Sequence, residues 1–137
     1  MFSNFKKTTM VAKIIKRTLI TTNSKQRIFK VQDQEDFNKH VLNSKEPVVI
    51  DFFATWCGPC KVLLPRLEKV IEEYNGEINL AKVDIDDNVD IAMDYGITVV
   101  PELIAMKNGK VQGKIIGLQD EDKLKTFVSK LVEAKTE

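Results

Sequence analysis

Cysteine is scarce in this chain of 137 residues: it has only Cys57 and Cys60, together with one histidine, His40, and one tryptophan, Trp56. A structural zinc site needs four ligands, usually two cysteine pairs or one pair with two histidines, so one chain cannot complete a Cys/His centre. Long apolar runs are missing too. VVIDFFA and VVPELIAM are each broken by a charge, and nothing approaches the roughly 18–20 residues that would cross a bilayer. There is no GxGxxG fingerprint for a dinucleotide, no internal repeat and no low-complexity segment.

Acidic residues are absent from the first 30 positions, which hold eight basic ones: Lys6, Lys7, Lys13, Lys16, Arg17, Lys25, Arg27 and Lys30. The other 107 residues carry 13 basic against 20 acidic side chains, a net of −7 hidden inside an overall +1. An acidic body argues against nucleic-acid binding by the folded part. In the basic head, Met10, Val11, Ile14, Ile15 and Leu19 fall on one side of a helix, with Lys13, Lys16 and Arg17 opposite. Basic, acid-free, amphipathic and rich in Ser and Thr, residues 1–26 read as an organelle-targeting peptide, mitochondrial by type. Lysines interrupt the segment before the apolar core of a secretory signal is reached. The plainer alternatives are a disordered basic tail, or an arm lying on anionic lipid.

The rest, residues 27–137, has the size of one domain with its own core. RIFKV is a short strand, and a helix over Asp33–Asn43 follows with Asp33 or Gln34 near its cap and Phe37, Val41 and Leu42 inward. VVIDFFA reads as a strand covered on both faces. A long helix is expected over Lys61–Tyr74, with Val62, Leu63, Leu67, Val70 and Ile71 as its apolar stripe and a kink at Pro65. INLAKVDID is the next strand, and Asn88–Tyr95 a short helix closed by Gly96. ELIAMK and KVQGKIIG form a hairpin through Asn108-Gly109, and Asp120 caps a last helix with Leu124, Phe127, Val128 and Leu131 inward. The order βαβαβα-ββα implies parallel strands, then an antiparallel hairpin: an α/β fold with a mixed sheet and helices on both faces.

Within this frame Cys57 and Cys60 follow a strand and open a helix. A structural staple is disfavoured, because so short a loop restrains the unfolded chain little. Thiol–disulfide exchange fits. A helix N-terminus offers free amide donors and a favourable dipole to a thiolate at Cys57, Pro59 suits a first helical turn, and Cys60 is near enough to attack a mixed disulfide at Cys57. Asp51 interrupts an otherwise apolar strand. A carboxylate there should be protonated, solvated or paired. Two compatible readings follow: a proton acceptor for Cys60, or an ion pair with Lys82 on the next strand.

The segments VVIDFFATWCGPCK, AKVDIDDN, YGITVVP and KNGK, in this order and spacing, resemble the thioredoxin family. PRLEK, LIAMKNGK and GLQDEDKL are most similar to its mitochondrial members. The resemblance spans roughly residues 28–133. It implies a thioredoxin fold, a mixed five-stranded sheet flanked by four helices, and reduction of protein disulfides by dithiol–disulfide exchange. Cys57 matches the attacking thiol, Cys60 the resolving thiol, Asp51 the buried aspartate and Lys82 the lysine beside it. Gly58 and Pro59 resemble the reducing members and are expected to tune the redox balance. Pro101 falls on the proline after a cis bond; Trp56, Val100 and Gly117 match the apolar rim where protein substrates dock.

No bound cofactor or metal is implied. NADPH and FAD belong to a thioredoxin reductase that restores the dithiol. Peroxiredoxins and other disulfide-bearing proteins are the implied clients, the mitochondrial matrix the implied location, and a monomer without stable membrane association the implied state. Two residues depart from the family's pattern. Phe53 stands where tryptophan is common, and Glu102 stands after Pro101 where threonine is usual, which would make the groove more acidic and either oppose thiolate formation or change partner choice. A disulfide oxidase or isomerase, and a non-catalytic docking module, are the rival readings. The Gly-Pro pair and the lack of a secretory signal argue against the first, and the intact Cys57, Cys60 and Asp51 against the second. His40, outside every matched segment, reads as a solvated helix residue.

Overall fold

Alternating strand and helix signals become five strands and four helices in the computed structural model, which describes residues 27–133. In chain order these are β1 (Ile28–Lys30), α1 (Gln34–Phe37, widening into a π-type turn over Asn38–Leu42), β2 (Val48–Phe53), α2 (Gly58–Glu72), β3 (Asn79–Asp84), α3 (Val89–Asp94), β4 (Glu102–Lys107), β5 (Lys110–Ile116) and α4 (Glu121–Glu133). The amphipathic Met10–Leu19 stretch lies outside the described residues.

The sheet order is β1-β3-β2-β4-β5. β1, β3 and β2 run parallel, while β4 and β5 are antiparallel additions. VVIDFF therefore sits at the centre of the sheet, which explains its nearly unbroken burial. One face carries Val49, Leu80 and Leu103 against Leu63, Leu67 and Val70 of α2 and Leu124, Val128 and Leu131 of α4. The other carries Ile50, Phe52, Val83 and Ile104 against Phe37, Val41 and Ile91. Each fully buried residue of this size contributes about 1.5–3 kcal/mol relative to exposure, and the two layers fix where the ends of β2 and β4 meet.

Local signals behave as their chemistry requires. Asp33 and Asp120 each accept an amide proton three residues on, from Asp36 at 2.8 Å and Lys123 at 2.9 Å, and so cap α1 and α4. Asn108 and Gly109 have φ of +53° and +73°, the pair of positive values a tight hairpin turn demands. A Cβ at Gly109 would also lie 3.1 Å from the Leu42 carbonyl oxygen.

Two expectations about the long helix are corrected. It begins at Gly58 rather than Lys61, capped by Cys57, and Val62 does not belong to its apolar stripe. The buried residues are Cys60, Leu63, Leu67, Val70 and Ile71, with Val62 exposed. Packing of Cys60 and Leu63 inward sets the helix phase, and Val62 lies about 100° round from Leu63. Pro65 lies inside the helix, as its place in the sequence leads one to expect. Pro65 is on the exposed side, where water can take up the carbonyl its missing N–H leaves free.

Candidate functional site

β2 ends at Phe53, and Ala54 to Trp56 turn the chain into α2. Cys57 is the N-cap residue, extended in backbone, and its Sγ accepts the N–H of Cys60 at 3.3 Å. Gly58 and Pro59 occupy the first helical turn, where proline loses no needed hydrogen bond. Cys57 and Cys60 form a disulfide, with their Cα atoms 5.4 Å apart. On reduction, a thiolate at Cys57 would face the free amide end and positive dipole end of α2, which favours the charged form.

The strand at the other side of the disulfide arrives through a cis bond between Val100 and Pro101. The Val100 carbonyl oxygen lies 3.8 Å from Cys57 Sγ. Gly117, with φ of +88°, donates its N–H to the Pro101 carbonyl at 2.8 Å, which draws the end of β5 to the same place. Val100 packs against the small cluster of Ala54, Cys57 and Cys60. Trp56 stands above it, 69% exposed, with its indole N–H donated to Asp86 at 3.0 Å. The structure thus brings Val100, Pro101 and Gly117 together beside the disulfide, with Trp56 immediately before Cys57. Val99, Ile116, Leu118 and Asp86, which the sequence did not single out, lie next to these residues in the chain or pair with Trp56. Ile116 and Leu118 flank Gly117 and are exposed apolar residues, as is Val99 next to Val100. That proximity was the available signal.

Asp51 lies on the central strand β2, two residues before its end at Phe53, 1% exposed, between Lys82 on β3 and Leu103 on β4. Burial pushes its carboxyl from 3.8 up to about 7; the Lys82 charge works against that rise, and Glu68 adds to it. The anticipated Asp51–Lys82 ion pair is not formed. The Lys82 amino group pairs instead with Glu68 of α2 at 3.8 Å, and Asp51 Oδ1 has no hydrogen-bond partner. Lysine is long enough to reach past its register neighbour toward the half-exposed Glu68, where less desolvation is incurred. Asp51, Lys82 and Glu68 thus make a charged layer between the sheet and the helix that carries Cys60.

His40 is an exposed helix residue that pairs with Asp36 at 3.4 Å and meets the Phe29 ring edge-on, away from the disulfide. Among the described residues no cluster of His, Cys, Asp and Glu has the arrangement of a metal site. The redox-active group of this site is its own cysteine pair.

A thioredoxin family model matches residues 28–130. The chain is 50% identical to the mitochondrial thioredoxin of Bos taurus over 116 residues, covering 85% of this chain and 70% of that protein. It is 38% identical to a probable thioredoxin-2 of Caenorhabditis elegans over 128 residues, 88% of each. A solved thioredoxin from Malassezia sympodialis superposes with a TM-score of 0.70 at 31% identity, over 78% of this chain and 92% of the other.

Proposed function

This chain belongs to the thioredoxin family, and from that premise we propose a division of labour among the residues around its disulfide. The protein is a thiol–disulfide oxidoreductase that reduces protein disulfides through Cys57 and Cys60, and a thioredoxin reductase returns it to the dithiol.

In the proposed sequence the Cys57 thiolate attacks one sulfur of the substrate disulfide. A Cys57–substrate mixed disulfide forms, and the other substrate sulfur leaves as a thiolate that takes up a proton. Cys60 then loses its proton and attacks Cys57 Sγ. The Cys57–Cys60 bond forms, the substrate's second sulfur departs, and two electrons have passed from the dithiol to the substrate. Asp51 is the acceptor of the Cys60 proton. A carboxyl held near 7 by burial can both take and return a proton at neutral pH. Lys82 keeps enough positive charge nearby to prevent Asp51 from rising further. Gly58 and Pro59 hold the first turn of α2 in the form that presents Cys57, and Trp56, Val100, Pro101 and Gly117 receive the substrate backbone.

The observation that carries this reading is the position of Cys57: N-cap of α2, bonded to Cys60, and beside the Val100 carbonyl at the exposed rim. The test is reduction of insulin in the presence of NADPH and a thioredoxin reductase. Sustained turnover by the wild type, lost in Cys57→Ser, is expected; absence of turnover would favour a docking module.

Peroxiredoxins are the proposed clients, and a monomer the proposed working state. No cofactor is needed, since NADPH and FAD act within the reductase. We place the protein in the mitochondrial matrix, with residues 1–26 as the targeting peptide and 27–137 as the catalytic domain. Support comes from the acid-free basic composition of that segment and from the mitochondrial names of relatives at 50% identity.

A further inference from the structure

Five polar or charged residues are buried among the described ones: Asp51, Asn79, Asp84, Asn88 and Glu102. Asp84 accepts the Asp86 N–H at 2.9 Å, and Asn88 donates to the Asp84 carbonyl. Asp51 has been given its place in the mechanism, and Asn79 lies at the far end of the sheet, opposite Val48. Glu102 has no such use. It is the first residue of β4, directly after the cis Val100–Pro101 bond, and only 5% exposed. Its register neighbours are apolar: Phe52 on β2 and Ile116 on β5.

No described cation or hydrogen-bond donor reaches its carboxylate. Lys114 lies on the same face, opposite Ile104, but is exposed and makes no ion pair with it; Lys61, which follows the disulfide, makes none either. The sealed, unpartnered side-chain oxygens among the described residues are Asp51 Oδ1 and Asn79 Oδ1. The Glu102 oxygens are not among them, so the side chain, buried between its register neighbours Phe52 and Ile116, keeps a small solvent contact at its carboxylate. A charge so placed is less screened than one on a free surface side chain, and it interacts more strongly with a charge brought against it. Asp86, held on the Trp56 indole, adds a second carboxylate to the same rim.

We propose that Glu102 is a specificity-determining residue, favouring substrate proteins with lysine or arginine beside the disulfide cysteine over those with an acidic residue there. The carboxylate waits without a cation at the edge of the surface where the substrate chain lies, and a basic substrate side chain supplies the missing partner. This rests on the reading of the rim around Cys57 as the docking surface.

The experiment compares two synthetic disulfide peptides that differ only in Lys or Glu next to the reactive cysteine. The kcat/KM for their reduction is measured with the reductase and NADPH in excess. The wild type should reduce the Lys peptide about fivefold faster at low ionic strength, the size of one partly screened ion pair. The preference should shrink in about 0.5 M salt. Glu102→Gln should bring the two rates within about twofold of each other by slowing the Lys peptide and speeding the Glu peptide, and Glu102→Lys should reverse the order. Equal rates with the wild type would overturn the proposal while leaving the reductase reading intact, and need no variant to fold. A preference that survives in Glu102→Gln would overturn it in favour of Asp86. An equal fall on both peptides would show a structural role only, and no reduction of either by the wild type would overturn both readings.

Discussion

Replacing Asp51 by asparagine keeps the shape of the side chain and removes its ionisation, so the two parts of its proposed role separate. The carboxyl is displaced from 3.8 to about 7 because burial penalises its charged form. For an acid raised in the folded state, the native protein holds the proton more tightly than the unfolded chain does. Stability is therefore unaffected below the unfolded value, declines between about pH 4 and pH 7, and changes no further above that. The whole displacement corresponds to about 4 kcal/mol. Asparagine escapes that cost but buries an amide without an assigned partner, which takes back about 1–3 kcal/mol. Asp51→Asn should thus fall about 1–3 kcal/mol below the wild type at pH 4, where both proteins are uncharged at this position, and exceed it by about 1–3 kcal/mol at pH 8. Urea midpoints measured across this range give the difference directly.

Kinetics should move the other way. Release of thionitrobenzoate from a mixed disulfide preformed on Cys57 reports the attack of Cys60 alone. At pH 7 it should slow by about 100-fold, the lower end of general-base contributions. The deficit should narrow as rising pH ionises Cys60 unaided. A variant that loses stability as pH rises, or that releases the aryl thiol at the wild-type rate, would refute the account of Asp51. Because Lys82 already pairs with Glu68, loss of an Asp51–Lys82 bridge cannot serve as an explanation for either result.

Three further outcomes are expected. Cys60→Ser should accumulate mixed disulfides with client proteins, visible on non-reducing gels, whereas Cys57→Ser should capture none; the reverse would exchange the two roles. A protein beginning at Arg27 should keep its fold and its insulin-reducing activity but fail to enter isolated mitochondria, as followed by protease protection and N-terminal sequencing. Gly109→Ala should cost about 1–2 kcal/mol in thermal or urea unfolding without slowing disulfide reduction. The new Cβ meets a positive φ and the Leu42 carbonyl oxygen at 3.1 Å, and the turn lies at the opposite end of β5 from Gly117.

Those features that depend on neighbours in the chain were readable before any coordinates. An Asn-Gly turn, an aspartate three residues ahead of an amide, and two thiols around a Gly-Pro at a helix start are local chemistry. Asn108-Gly109, Asp33, Asp120 and the Cys57–Cys60 pair accordingly appear where the sequence places them. The unbroken apolarity of VVIDFF likewise required cover on both faces, which only a central strand receives. Tertiary structure alone decided who meets whom across the sheet. Register sets Lys82 beside Asp51, yet its reach to α2 gives it Glu68. The inward packing of Cys60 and Leu63 turns Val62 to solvent, although spacing alone allowed it on the stripe. Glu102 is a charged letter in a strand until Phe52 and Ile116 close around its stem, and Asp86 is one more acid until Trp56 hydrogen-bonds to it. In each case the partner lies tens of residues away or the choice turns on packing, and the competing energies differ by only a kcal/mol or so. Spacing along a chain carries no record of such choices, because desolvation and reach are properties of the folded surface.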